Sequence, residues 1–180
     1  MKRPNINTIA IHTCCANCLL NSINFLKKKK YIDDNTQIVS LFYNPNIHPR
    51  SEYLERLKAI KNNLPNNTKL VIPDYRPKEY FNTLKETYKK GKRCSLCWEL
   101  RIDFLFNYAV RENIEVVTTT LLSSNFQNRR EILAIGKKYE NKYNIKFIEI
   151  TPEENIKNRG FYKQNYCGCC FSLVERMTKG

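Results

Sequence analysis

Three groups of thiols dominate the chemistry available to this sequence. Cys14, Cys15 and Cys18 crowd into the stretch TCCANC, Cys94 and Cys97 form a C-x-x-C, and YCGCC holds Cys167, Cys169 and Cys170. A C-x-x-C at a helix start places both sulfurs on one side, with backbone N–H groups nearby. That geometry binds zinc or an iron–sulfur cluster, or forms a redox disulfide. With a second cysteine pair at a strand end it supplies four thiolates, enough for one tetrahedral metal or one cubane. The adjacent pair Cys14–Cys15 fits repeated zinc knuckles badly. In the third group Gly168 permits the tight backbone that a C-x-C disulfide or a bidentate metal site requires. Sulfurs beyond four imply a second function beside the first, either a dithiol relay or a second metal ion.

The rest of the chain must position these thiols. At 180 residues it reads as one domain, 1–180, long enough to bury roughly 70% of its unfolded surface without disulfides. No apolar run approaches the roughly 18 residues of a membrane span, and MKRPNINTIAIHTCC has no long apolar signal core, so a cytoplasmic protein with no membrane partner is expected. In a reducing compartment eight cysteines point to metal or redox chemistry rather than to structural disulfides. The net charge of +14 implies a polyanionic partner, nucleic acid first. A Lys- and Asn-rich genome, or a solvated helix end at Lys27–Lys30, explains part of that charge equally well.

The hydrophobic pattern alternates strand and helix. Strands are expected at Thr8–His12, Gln37–Tyr43, Lys69–Ile72, Ile114–Leu121 and Ile145–Ile150. Helices are expected at Cys18–Lys28, Ser51–Asn63, Pro77–Lys90, about Ser95–Asn113, Arg129–Asn144 and after the last cysteines, with a loop over Asn155–Tyr166. Five strands with helical crossovers make a three-layer α/β/α fold with a mostly parallel sheet of Rossmann-like, nucleotide-hydrolase-like (HUP) topology. Cys14–Cys18, Asn44–Pro49, Asp74–Tyr75 and Ser123–Gln127 then all lie at carboxyl ends of strands, where open α/β sheets bind ligands. Cys94 and Cys97 open one helix and Cys167–Cys170 precede another, so all three groups can meet over one edge.

Individual residues divide between chemistry and structure. His48, at a strand exit, has a pKa suited to donating a proton to a developing alkoxide, and suits a structural turn as well. His12 reads as a core histidine, and Phe42 and Tyr43 as core. Asp74 and Tyr75 fit loop capping or substrate contact. Arg93, Arg101, Arg129 and Arg130 flank the expected mouth as phosphate ligands, with Arg101 also placed to balance a negative cluster. Trp98 suits burial against the sheet or stacking on a base. There is no C-x-x-x-C-x-x-C for radical chemistry on S-adenosylmethionine, and no SGGxDS-like loop for ATP-driven sulfur transfer.

HTCCANC, NPNIHP with EYLER, RCSLCWELR and QNYCGCCFS, in that order along nearly the whole chain, resemble the QueH-type, cobalamin-independent epoxyqueuosine reductases. The resemblance implies a 4Fe-4S cluster, reduction of the epoxide of epoxyqueuosine at the tRNA wobble position as the last step of queuosine biosynthesis, and an unidentified electron donor. It places the cluster ligands on Cys14, Cys15, Cys94 and Cys97. Cys167 and Cys169 become a redox-active disulfide or ligands to a second, mononuclear iron. Cys18 matches the family without an assigned role, as second-site ligand or helix-start packing. Two positions depart from the pattern: Asn17 replaces a usual proline, and Cys170 a usual apolar residue. The competing readings are a zinc-stabilised RNA-binding module and a thiol redox sensor.

Overall fold

The computed structural model describes residues 6–85, 87–124, 126–151, 160–162 and 164–178. Half of the loop expected at Asn155–Tyr166, residues 155–159 and 163, lies outside those residues. Five strands, β1 (Thr8–His12), β2 (Gln37–Leu41), β3 (Thr68–Val71), β4 (Val116–Thr119) and β5 (Lys146–Phe147), form one sheet in the order β3-β2-β1-β4-β5. Every pairing is parallel, with Ala10 opposite both Val39 and Val117. The helices are α1 (Ala16–Lys28), α2 (Arg50–Lys61), α3 (Pro77–Leu84), α4 (Lys92–Arg111), α5 (Arg129–Tyr143) and α6 (Cys170–Met177).

Alternation along β1 sorts the two cores. Ile9 and Ile11 face Leu19, Ile23 and Leu26 of α1 and Leu57 and Ile60 of α2. Ala10 faces the other way, onto Ile102, Leu105 and Phe106 of α4 and Ile132 of α5. Both faces of the central strands are therefore covered, which is why QIVSLFY, around β2, reads as a nearly continuous apolar run. Each fully buried Ile or Leu in these layers contributes roughly 1.5–3 kcal/mol.

The sequence places two helix boundaries differently. α3 ends at Leu84 rather than Lys90, because Lys85 turns into the left-handed region at φ 44°. α4 starts at Lys92, capped by Gly91 at φ 95°, so Cys94 and Cys97 sit inside its first two turns. At the β5 edge Gly136 lets α5 close onto the sheet: a Cβ there would lie 2.3 Å from the Phe147 ring. Gly136→Ala is therefore expected to destabilise the fold by about 1–3 kcal/mol through overpacking. Thermal unfolding should show a midpoint several degrees lower, and an unchanged midpoint would mean that the Phe147 ring can move aside.

Candidate thiol and metal centre

The sheet order reverses at β1, whose two neighbours are β2 and β4. The crevice between the carboxyl ends of β1 and β4 is thus the topological switch point, where such sheets bind ligands. The TCCANC turn lies in it. The Cys14 N–H donates to Thr120 Oγ1 (3.0 Å), in the 3-10 turn Thr120–Ser123 after β4, and that hydroxyl donates onto Cys14 Sγ (3.2 Å). Cys15 caps α1, its sulfur accepting from the Cys18 N–H at 3.4 Å. The three sulfurs of Cys14, Cys15 and Cys18 lie within 4.8 Å of one another.

Proton sharing inside this group is uneven. Hydrogen bonds from Cys15 and Cys18 hold the Cys14 thiol well below the usual thiol range against its burial, with help from the Thr120 hydroxyl and the Arg56 charge. Its hydrogen bond to Cys14 pushes Cys15 up to about 12, and Cys18 is raised in the same way.

Cys14, Cys15, Cys18 and Cys167 line a single cavity of about 150 Å³, together with Arg56 and Arg101. The C-G-C segment reaches it from the other side. Cys169 caps α6 by accepting from the Ser172 N–H (3.3 Å), and Cys167 Sγ and Cys169 Sγ are 3.6 Å apart. The Cys169 contact, aided by Ser172, lowers the Cys167 thiol to about 5, while Cys169 is raised by the same contact. Cys97 and Cys169 pack in one small buried cluster with Cys167 at its margin, and burial raises Cys97 to about 11. Cys94 is half-buried, and Cys170, also half-buried, begins α6. Cys167 thus adjoins both the β1 thiols and Cys97.

Arg56 and Glu52, the two ends of the EYLER motif, form a part of the site for which the sequence suggests no role. Arg56 is 2% exposed, and its Nε donates to Glu52 Oε1 at 2.6 Å. The Gln164 amide oxygen, in the orientation its surroundings require, accepts from Arg56 Nη1 (3.0 Å) and Nη2 (2.8 Å). The Tyr162 hydroxyl donates to Glu52, and the guanidinium lies 5.9 Å from the Tyr166 ring centroid. Gly168, at φ +110°, passes so close that a Cβ there would stand 2.9 Å from Arg56 Nη2.

The remaining expected residues are placed as follows. Arg101 is 2% exposed and its Nε donates to the Cys97 carbonyl (3.1 Å); among the described residues no carboxylate pairs with it. Arg93 is buried and donates to Glu175 and to the Tyr88 carbonyl, while Arg129 is engaged with Glu149 and the Ile150 carbonyl. These two arginines hold the fold together instead of lining the cavity, and Arg130 is exposed outside it. His12 is fully buried, its ring against Thr119 Oγ1 and the Tyr43 carbonyl; desolvation, with Arg101 nearby, lowers it to about 4 and keeps it neutral.

His48 does not line the cavity. Its ring stacks on Phe81 (5.1 Å) beside Tyr80, both ring nitrogens are buried without a partner among the described residues, and burial lowers its pKa. Its backbone is what reaches the site, the N–H donating to the Gly168 carbonyl at 2.8 Å. Phe42 and Tyr43 are core, Trp98 is buried and donates to Gln127, Tyr75 donates to the Ile47 carbonyl, and Asp74 pairs with Arg76 at the surface.

The site's chemistry fits a soft metal or cluster. The group around Cys14 is all sulfur, with no imidazole or carboxylate in it, the donor set preferred by iron–sulfur clusters and zinc. A buried guanidinium without a carboxylate, Arg101, suits an anionic occupant. Both amide atoms of Asn17, in the same cavity wall, are buried and have no hydrogen-bond partner among the described residues.

Fold and site together define a class: Rossmann-like α/β proteins with a group of thiols at the switch point of the sheet. Comparison with known proteins narrows it. The family described as "Epoxyqueuosine reductase QueH" matches residues 9–175, and the chain belongs to that family. Relatives bearing that name include a Thermotoga maritima protein, 34% identical over 97% of this chain and 94% of its own length. A Staphylococcus epidermidis protein is 30% identical over 97% of this chain and 79% of its own. A Helicobacter pylori protein is 32% identical over 91% of this chain, which spans about half (48%) of that relative's length. No helix among the described residues is long and apolar enough to cross a membrane.

Proposed function

We propose that this chain, as one iron–sulfur reductase domain over residues 1–180, reduces epoxyqueuosine to queuosine on tRNA in the cytoplasm. The observation that carries the reading is the place of Cys167, which lines the cavity of Cys14, Cys15 and Cys18 and also packs against the buried cluster of Cys97 and Cys169, although Cys94 and Cys97 themselves do not line that cavity. Membership in the family supports it. The reaction takes an epoxide to an alkene: both C–O bonds break, the oxygen leaves as water, and two electrons and two protons enter.

In this reading Cys14, Cys15, Cys94 and Cys97 hold a 4Fe-4S cluster, which when bound supplies electrons one at a time. Cys167 and Cys169 serve as the adjoining redox pair or as ligands to a second iron, with Cys18 at hand to that second site. Arg101 offsets the negative charge of the thiolates from inside α4. Arg56 fixes the C-G-C backbone through its contact with Gly168 and Gln164. His48, proposed from sequence as a proton donor, acts in this reading through its backbone, which holds the same segment by donating to the Gly168 carbonyl. The electron donor is a separate reductant.

The test is reduction of epoxyqueuosine-tRNA by anaerobically purified chain with dithionite, read by mass of the released nucleoside, alongside metal and sulfide content. Queuosine formation with about four irons per chain is the expected result. A colourless protein with about one zinc and no product would leave a zinc-stapled RNA-binding module instead.

A further inference from the structure

The cavity does not end at the thiols. Phe126 and Tyr166 line both it and an adjoining depression of about 400 Å³, whose wall also includes Lys90, Asn165, Ser172 and Arg176. Phe126 is 52% exposed, and among the described residues its ring packs on no other aromatic ring. Its backbone is nevertheless fixed. The Phe126 N–H donates to Ser124 Oγ (3.3 Å), and the next side chain, Gln127, accepts from the buried Trp98 indole. A large apolar ring is thus held out toward solvent on an anchored turn, at the rim of the reaction cavity.

The charge around it is basic. Among the described residues Glu175 is the one acidic residue of the wall, engaged by Arg93 and approached by Lys90 at 4.0 Å, while the Arg176 guanidinium donates to the Asn165 carbonyl (3.1 Å). With a chain net charge of +14, the occupant this combination fits is flat on one side and anionic on the other. An unpaired nucleotide has that form: a base to stack on an aromatic face and a phosphate for lysine and arginine. A paired helix does not, since its bases are stacked away from such a ring.

We propose that this depression is a second nucleotide subsite, in which a base flanking the modified one stacks on Phe126 while its phosphate lies against Lys90 and Arg176. The inference rests on the reductase reading, which supplies the single-stranded loop that carries both bases. A protein electron donor docking here is the competing occupant.

The experiment is a cycle of substitutions across the contact. Wild-type and Phe126→Ala chains, both loaded with iron, are titrated with a fluorescent anticodon stem-loop carrying epoxyqueuosine. Parallel stem-loops are made abasic at each nucleotide flanking the modified one. Phe126→Ala and one of the two abasic stem-loops should each weaken binding roughly 10- to 100-fold, and together by no more than either alone. Phe126→Tyr should restore affinity, with iron content unchanged throughout. Additive losses, or no loss from Phe126→Ala, would overturn the subsite. So would a Phe126→Ala defect seen only when a protein reductant replaces dithionite, which would assign the surface to the donor. Wild-type reduction of the intact stem-loop separates the two levels. If it fails, the reductase reading falls and the subsite with it; if it succeeds while the cycle is additive, only the subsite is lost.

Discussion

Replacing Cys97 with serine is expected to remove iron and activity together. Cys97 is 6% exposed and sits at the junction of α4 and the C-G-C segment. A serine oxygen is a hard donor where iron bound to sulfide calls for soft thiolate, so iron should fall from about four per chain to below one. Losing the occupant also leaves Arg101 buried without an anion, and an uncompensated buried charge costs about 3–5 kcal/mol. Thermal stability should therefore fall further than a Cys-to-Ser change in an inert core would explain. Cys18→Ser, made beside it, is expected to keep its four irons. If Cys97→Ser stays brown and Cys18→Ser bleaches, the ligand set shifts to the compact trio on β1 and α1.

The second large effect separates an enzyme from a metal-stapled fold. Cys167→Ser and Cys169→Ser should each stop epoxide reduction in a single turnover while iron per chain stays nearly intact. Cys169 offers an unusually clean comparison. Its side chain caps α6 by accepting from the Ser172 N–H, and serine is among the best residues for that position. The helix should therefore survive, and lost activity cannot be blamed on a lost cap. Cluster and activity vanishing together would make the pair cluster ligands. Full activity in either variant would reduce them to core thiols and sink the proposed electron path.

The parts of this molecule that were readable from its sequence are those where local pattern and tertiary burial agree. QIVSL and TIAIH are buried on both faces and look it, and the five-stranded Rossmann-like order follows from strands alternating with helices. IKFIEI was harder, because only Lys146–Phe147 pair as strand before the chain leaves the edge. Cys94 and Cys97 read as the opening of a helix from about Ser95, and the helix begins slightly earlier, at Lys92, with Gly91 as its cap. Arg56 and Glu52 bound the EYLER motif, but their buried pairing is not legible there for a different reason. On paper Glu-x-x-x-Arg is an ordinary solvated helix pair, and only the fold carries the C-terminal segment over it and buries both. The arginines chosen from sequence were flagged by proximity along the chain, whereas Arg93 and Arg129 spend their charges on Glu175 and Glu149.

The contact between Arg56 and Gly168 has a consequence for the order in which this chain can change. A side chain at 168 meets the guanidinium at 2.9 Å and must also adopt φ +110°, so the glycine is pinned for two separate reasons. Shortening Arg56 lifts only the first, and strands Glu52 in the interior without its 2.6 Å partner. The two positions are therefore coupled: a suppressor of a defective Gly168→Ala chain would have to alter residue 56 and neutralise residue 52 together, and would relieve the clash but not the backbone strain. Single steps away from the present trio are each expected to cost stability. Such a chain is far easier to keep than to rebuild, and libraries that randomise one of these sites at a time will miss every working combination but the native one.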